Sequence, residues 1–150
     1  MKVFIGADHR GVAFKANIRT ILEKLQIAYE DVGTFDSEQS CDYPRVSYKV
    51  ATKVAATKDS RGILVCMSGI GQAIAANKVR GAYAALCHNV EAAKLSREHN
   101  NANILVLGAK FVKPKDVPKI IEVWLTTAFE GGRHLRRVNL IKKIEQGKKI

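Results

Sequence analysis

Short β-rich apolar runs alternate with amphipathic helical stretches along this whole chain, and that alternation limits the fold more than any other feature. "KVFIGAD" reads as a strand, after which Phe14, Ile18, Ile21, Leu22 and Leu25 recur at helical spacing with Lys15, Arg19 and Glu23 expected outward. "IAYEDV" reads as a second strand ended by Gly33. Asp42 stands as an N-cap before Pro44, and Tyr43, Val46, Ser47, Val50, Ala51 and Val54 form one face of the next helix. Strands at "GILVC", "AYAAL" and "NILVLG" are each followed by a helix, over 71 to about 79, 90 to 99 and 115 to 127. A last helix over 133 to 146 runs into "EQGKKI", with about 147–150 expected to fray. Parallel strands require crossovers, so the pattern predicts an α/β, Rossmann-like three-layer sandwich: a five-stranded parallel sheet plus a C-terminal helix.

With 150 residues and no linker, repeat or low-complexity stretch, residues 1–150 are expected to form a single domain. No apolar run approaches the ~20 residues of a membrane span. "MKVFIGADH" has no signal-peptide character, and three cysteines fit no disulfide framework, so the expected location is cytoplasmic. The net charge of +11 is compatible with nucleic acid, an acidic surface or an anionic small substrate. Most lysines, such as Lys15, Lys24, Lys49 and Lys53, fall on polar helix faces and read as solvated surface. Basic residues are not interleaved with aromatics and no nucleic-acid signature is present, which disfavours nucleic acid as a partner.

Ligands of parallel sheets bind beyond the carboxyl ends of the strands. That edge gathers Asp8, His9, Cys66, His88 and Lys110. Asp8 either caps the following helix or orients a proton or sugar hydroxyl, and His9 is suited to an anion. The loop Ser68-Gly69-Ile70-Gly71 is neither a Walker loop nor G-x-G-x-x-G, yet its bare amides suit an oxyanion or a phosphate. Cys66 is either a small buried hydrophobe or a nucleophile or base whose pKa the helix terminus lowers. Cys87-His88 lacks metal-ligand spacing, and no metal site is expected. Ala92, Leu95, Ser96 and His99 share a helical face, the usual setting of a packed core histidine. Their helix runs back from its strand, however, which leaves His99 at the wrong edge to meet Cys66 unless a second subunit supplies it. Arg133 and Arg137 stand at i and i+4 on the last helix, where Leu135, Val138 and Ile141 are expected to pack; they read as basic surface or as a fork for a phosphate dianion.

Taken together, "GADHRG", "DYP", "CMSGIGQAIAANK", "SREHNNANILVLGAK" and "GGRHLRRV" resemble, in order and spacing, the type B ribose-5-phosphate isomerases and their galactose-6-phosphate and allose-6-phosphate isomerase relatives. The resemblance runs to about residue 146. It implies an aldose–ketose isomerase interconverting ribose 5-phosphate and ribulose 5-phosphate, with Cys66 as general base and His99 as the proton donor for ring opening. Asp8, His9, Tyr43 and Asn100 are implied as substrate-binding residues. Met67, Ser68, Gly69, Ile70 and Gly71 are implied as the enediolate cradle, and Lys110, Arg133 and Arg137 as phosphate ligands. The resemblance also implies a homodimer or dimer of dimers with sites between subunits. The reaction calls for no cofactor. Met67 stands where glycine is common and Lys110 where arginine is typical, losing bidentate geometry. Gln72 stands where one branch carries a catalytic glutamate, so the chain resembles the cysteine branch. A six-carbon sugar phosphate is the close alternative, and a non-catalytic sugar-phosphate or nucleic-acid binder the distant one.

Overall fold

The computed structural model describes residues 1–150. Strands β1 (Lys2–Ala7), β2 (Tyr29–Asp31), β3 (Ser60–Cys66), β4 (Ala84–Leu86) and β5 (Ile104–Gly108) form one parallel sheet in the order β2-β1-β3-β5-β4. Composition explains the order. "ILVLG" of β5 is buried throughout and takes an interior position, whereas "YED" and "AAL" are only partly buried and form the edges.

The helices are α1 (Val12–Lys24), α2 (Tyr43–Ala56), α3 (Ile70–Ala76), α4 (Val90–Asn100), α5 (Val117–Thr126) and α6 (Gly132–Glu145). One sheet face presents Val3, Ile5, Ile63, Val65, Leu105 and Leu107 to α1, α4 and α5. The other presents Phe4, Leu64, Ile104 and Val106 to α2 and α3. Alternate residues of each strand thus feed opposite layers, the three-layer arrangement expected from the pattern. Each fully buried leucine or isoleucine contributes about 1.5–3 kcal/mol. α6 lies outside the main layers and packs on α4. No helix is long and apolar enough to cross a membrane.

Several side chains depart from their expected settings. Lys15 is buried rather than outward, because it continues the Ile18–Leu22 stripe onto the core face of α1. Its ammonium is 2.6 Å from Asp31 Oδ1 and donates to the Thr34 carbonyl at 2.6 Å. Leu25, by contrast, is exposed. On α4 the core face is Ala93, Ser96 and Arg97, while Leu95 is exposed and Ala92 and His99 are half-buried. On α6 only His134 and Val138 turn inward; Leu135, Ile141 and Ile144 are exposed in the single chain. The tail is fastened at Glu145, whose carboxylate accepts from the Gly81 N–H at 2.6 Å and from Tyr83 Oη at 3.3 Å. Residues 146–150 lie beyond the helix and are exposed.

Candidate active site

Between β1 and β3 the strand order changes direction, since β1 leads out to β2 on one side and β3 to β5 and β4 on the other. The loops leaving these strands therefore part toward opposite faces, the place where ligands of such sheets bind. The register sets Ala7 beside Val65 and Cys66 beside Gly108, which brings the residues after β1, β3 and β5 to one edge.

Asp8 is buried at that edge. Its N–H donates to the Val65 carbonyl (3.3 Å), and its Oδ1 accepts from the Gly11 N–H (3.0 Å), capping a 3₁₀ turn over His9–Gly11. The capping role is thus met with one oxygen, leaving Oδ2 for another partner. Gly11 is required here because a Cβ would stand 2.6 Å from the Val65 carbonyl oxygen. His9 Nδ1 accepts from the Cys41 N–H at 3.3 Å, which leaves its proton on Nε2. Cys41 Sγ in turn accepts from Thr34 Oγ1 at 3.1 Å. Cys41 therefore belongs to this edge, a placement its sequence surroundings do not signal. A cleft of about 370 Å³ lined by Thr34, Gln39, Ser40, Cys41, Asp42 and Arg45 opens beside it.

Cys66 ends β3 with 5% of its surface exposed and accepts from the Gly69 N–H at 3.0 Å. Burial pushes its thiol pKa up; the Gly69 N–H pulls it down, and the Asp8 charge raises it again. The lowering expected from a helix terminus is outweighed by desolvation. Gly69 holds φ +79°, and a Cβ there would meet Leu86 Cδ1 at 2.5 Å. At Gly71 a Cβ would lie 2.5 Å from Tyr43 Cζ, so the tyrosine ring covers the loop directly. Met67 and Ile70 are exposed and Ser68 half-buried. The Lys110 N–H donates to the Met67 carbonyl at 3.0 Å, tying the segment after β5 to this loop while the Lys110 side chain stays exposed. His88 is exposed and edge-on to Phe111, with ring centroids 5.6 Å apart. Behind the loop, Gln72 is fully buried with neither amide atom paired.

His99, Asn100, Arg133 and Arg137 form a second group at the opposite edge. The last turn of α4 sits beside the start of β5, where Arg97 Nη1 donates to the Ala102 carbonyl. Cys66 is four residues along β3 from Gly62, the partner of Ile104, a span of about 13 Å of strand, so the last turn of α4 sits toward the other end of the sheet. The His99 ring stacks on that of His134 with centroids 4.1 Å apart and planes within 4°. Arg133 Nε donates to His134 Nε2 at 3.4 Å, and Asn100, Arg133 and Arg137 are exposed. Sequence reasoning passes over His134, although its i, i+4 spacing with Val138 marks it as inward-facing.

His99, Glu130 and His134 offer donor atoms within 4.8 Å of one another. They fit a metal poorly, because parallel stacked rings do not converge their in-plane lone pairs and Arg133 already donates to His134 Nε2. The first group joins a desolvated thiol to backbone donors, and the second joins an imidazole to exposed guanidinium groups. The two groups lie on two different surfaces of the chain.

Residues 3–141 match the family model described as Ribose/Galactose Isomerase. Ribose-5-phosphate isomerase B of Escherichia coli (strain K12) is 40% identical over 145 residues, covering 97% of both chains. The solved structure of Clostridium thermocellum ribose-5-phosphate isomerase B superposes with a TM-score of 0.94 at 45% identity, covering 98% of this chain and 99% of that one. Mycoplasma genitalium ribose-5-phosphate isomerase B, solved with bound ribulose-5-phosphate, gives 0.92 at 40% identity, covering 97% and 96%.

Proposed function

The chain belongs to the ribose/galactose isomerase family, and from that premise we propose that it interconverts D-ribose 5-phosphate and D-ribulose 5-phosphate through an enediolate. The observation that carries the reading is Cys66, a buried thiol at a strand end with the loop amide of Gly69 3.0 Å from its sulfur. A sugar α-carbon is a weak acid. Its deprotonation needs a base kept from water and N–H donors where the oxyanion develops. Cys66, as thiolate, takes the C2 proton, exchanges it with solvent and delivers a proton to C1 as the O2 hydroxyl proton passes to O1, while the amides from Met67 to Gly71 receive the enediolate oxygens. Asp8, His9 and Tyr43 bind the open sugar.

His99 opens the furanose by giving a proton to the ring oxygen as the C1–O bond breaks and the anomeric hydroxyl gives up its proton to water, with Asn100 beside it. Arg133, Arg137 and Lys110 hold the phosphate, whose binding energy orients the reacting carbons. Because His99 and the arginines stand at the far edge from Cys66 in one chain, each site is completed by a partner subunit, in a homodimer or dimer of dimers. The exposed Leu95 and Leu135 beside them support that reading. Three free thiols agree with a reducing cytoplasm.

Proton NMR of ribose 5-phosphate in D₂O tests the proposal. Wild-type protein is expected to form ribulose 5-phosphate carrying solvent deuterium, and Cys66→Ala to form none. Conversion of allose 6-phosphate but not ribose 5-phosphate would move the substrate to the six-carbon class. Turnover retained in Cys66→Ala would remove Cys66 from the base role.

A further inference from the structure

The roles above leave His134 unused, yet it touches two of the groups they invoke. It is 5% exposed on the inner face of α6. Its ring lies flat against His99, and its Nε2 accepts the Nε–H of Arg133. That bond requires an unprotonated Nε2. The same nitrogen therefore has no proton to offer Glu130 Oε2, 3.4 Å away. Burial, and then the neighbouring His99, Arg133 and Arg137, lower its pKa from the ordinary histidine value against the opposing pull of Glu130, which favours the neutral ring.

We propose that His134 is a positioning residue serving two groups at once: its Nε2 aims the Arg133 guanidinium, leaving both Nη groups for an anionic oxygen pair, and its ring face fixes the plane of His99. The inference rests on the reading that His99 and Arg133 meet a sugar phosphate. Nε-anchoring of an arginine leaves its terminal fork free, the geometry bidentate phosphate binding uses. A stacked neutral ring holds an imidazole in orientation without competing for its proton.

The two functions separate by substitution. His134→Phe keeps the stack and removes the acceptor, so KM should rise roughly 10-fold with kcat little changed. His134→Gln keeps a carbonyl acceptor at the reach of Nε2 and removes the stack, so kcat should fall roughly 10-fold with KM little changed. Two readouts stand apart from turnover. Inorganic phosphate, titrated calorimetrically, should bind the wild type and His134→Gln alike and His134→Phe more weakly. The His99 Cε1 proton should keep its ring-current shift in His134→Phe and lose it in His134→Gln. His134→Asn, with its amide one carbon shorter, is the fallback should His134→Gln fail to fold. Variants that move the same parameter together, or leave both at wild-type values, would overturn the proposal. An inactive wild type would sink the isomerase reading, while phosphate affinity and the His99 resonance would still decide the positioning role.

Discussion

The Gly69 N–H donates to Cys66 Sγ across 3.0 Å, so the thiol occupies one of the amides that the loop offers an incoming oxyanion. This bond, with smaller help from the Ser68 and Gln72 backbone amides, opposes the desolvation that raises the thiol pKa. At neutral pH most chains hold the neutral thiol, and only the thiolate can act as base. Raising pH should therefore raise kcat/KM, approaching tenfold per unit below the thiol pKa and continuing past the ordinary thiol range near ~8.5. The rate–pH profile from 6 to 10, paired with iodoacetamide alkylation of Cys66, checks this. A profile flat from 7 upward would mean that the thiolate is already formed.

Lys15 and Asp31 form an ion pair with 3% and 10% of their side chains exposed; Asp31 Oδ1 also accepts from the Gly33 N–H, and Oδ2 has no partner. Lys15→Met leaves that carboxylate buried and uncompensated, so unfolding free energy should fall by about 3–5 kcal/mol. Adding Asp31→Asn should recover most of the loss in urea melts. The Lys15 contact with the Thr34 carbonyl also anchors the segment that reaches Cys41 and His9. The single variant should consequently raise KM as well.

Gly71→Ala drives a methyl group into the Tyr43 ring, 2.5 Å away. Tyr43 is 42% exposed and can swing aside, so the fold should hold within about 1 kcal/mol while KM rises roughly 3- to 10-fold. Gly69→Ala is different in kind. It combines φ +79° with a clash against Leu86, and should lower stability by about 1–3 kcal/mol. Thermal melts beside steady-state kinetics separate the two.

Because His99 stands a strand's length from Cys66 within one chain, Cys66→Ala and His99→Ala should complement each other. In each hybrid dimer one of two sites regains both residues, so an equal mixture after exchange should show about a quarter of wild-type turnover. Mass-tagged chains confirm the exchange. Exchange without recovered turnover would place both residues in one chain's site.

The sheet and its helices are legible in the sequence because apolar periodicity reports burial one element at a time. The grouping of Asp8, His9, Cys66 and the glycine loop follows from the parallel topology alone. What escapes are positions where a polar residue occupies a core-facing site. Lys15 reads as surface by type but continues the Ile18–Leu22 stripe, and Asp31, 16 residues away, makes that burial tolerable. His134 is hidden for the same reason, in a motif whose arginines draw the functional reading. Leu135 and Ile141 fail in the other direction: their spacing promises packing, but no element of the same chain covers them. The pKa of Cys66 depends on how deeply the strand end is buried, a property of the assembled layers that no local motif carries.

The place of β5 between β3 and β4 has a consequence for the order in which the molecule can be made. β4 pairs only with β5, and β3 has its second neighbour only in β5. A chain emerging from the ribosome can join β2, β1 and β3, but β4 then waits without a partner until residues 104–108 are free to slot in beside it. The last strand synthesised is the keystone of the sheet, and the strand end that carries Cys66 rests on it.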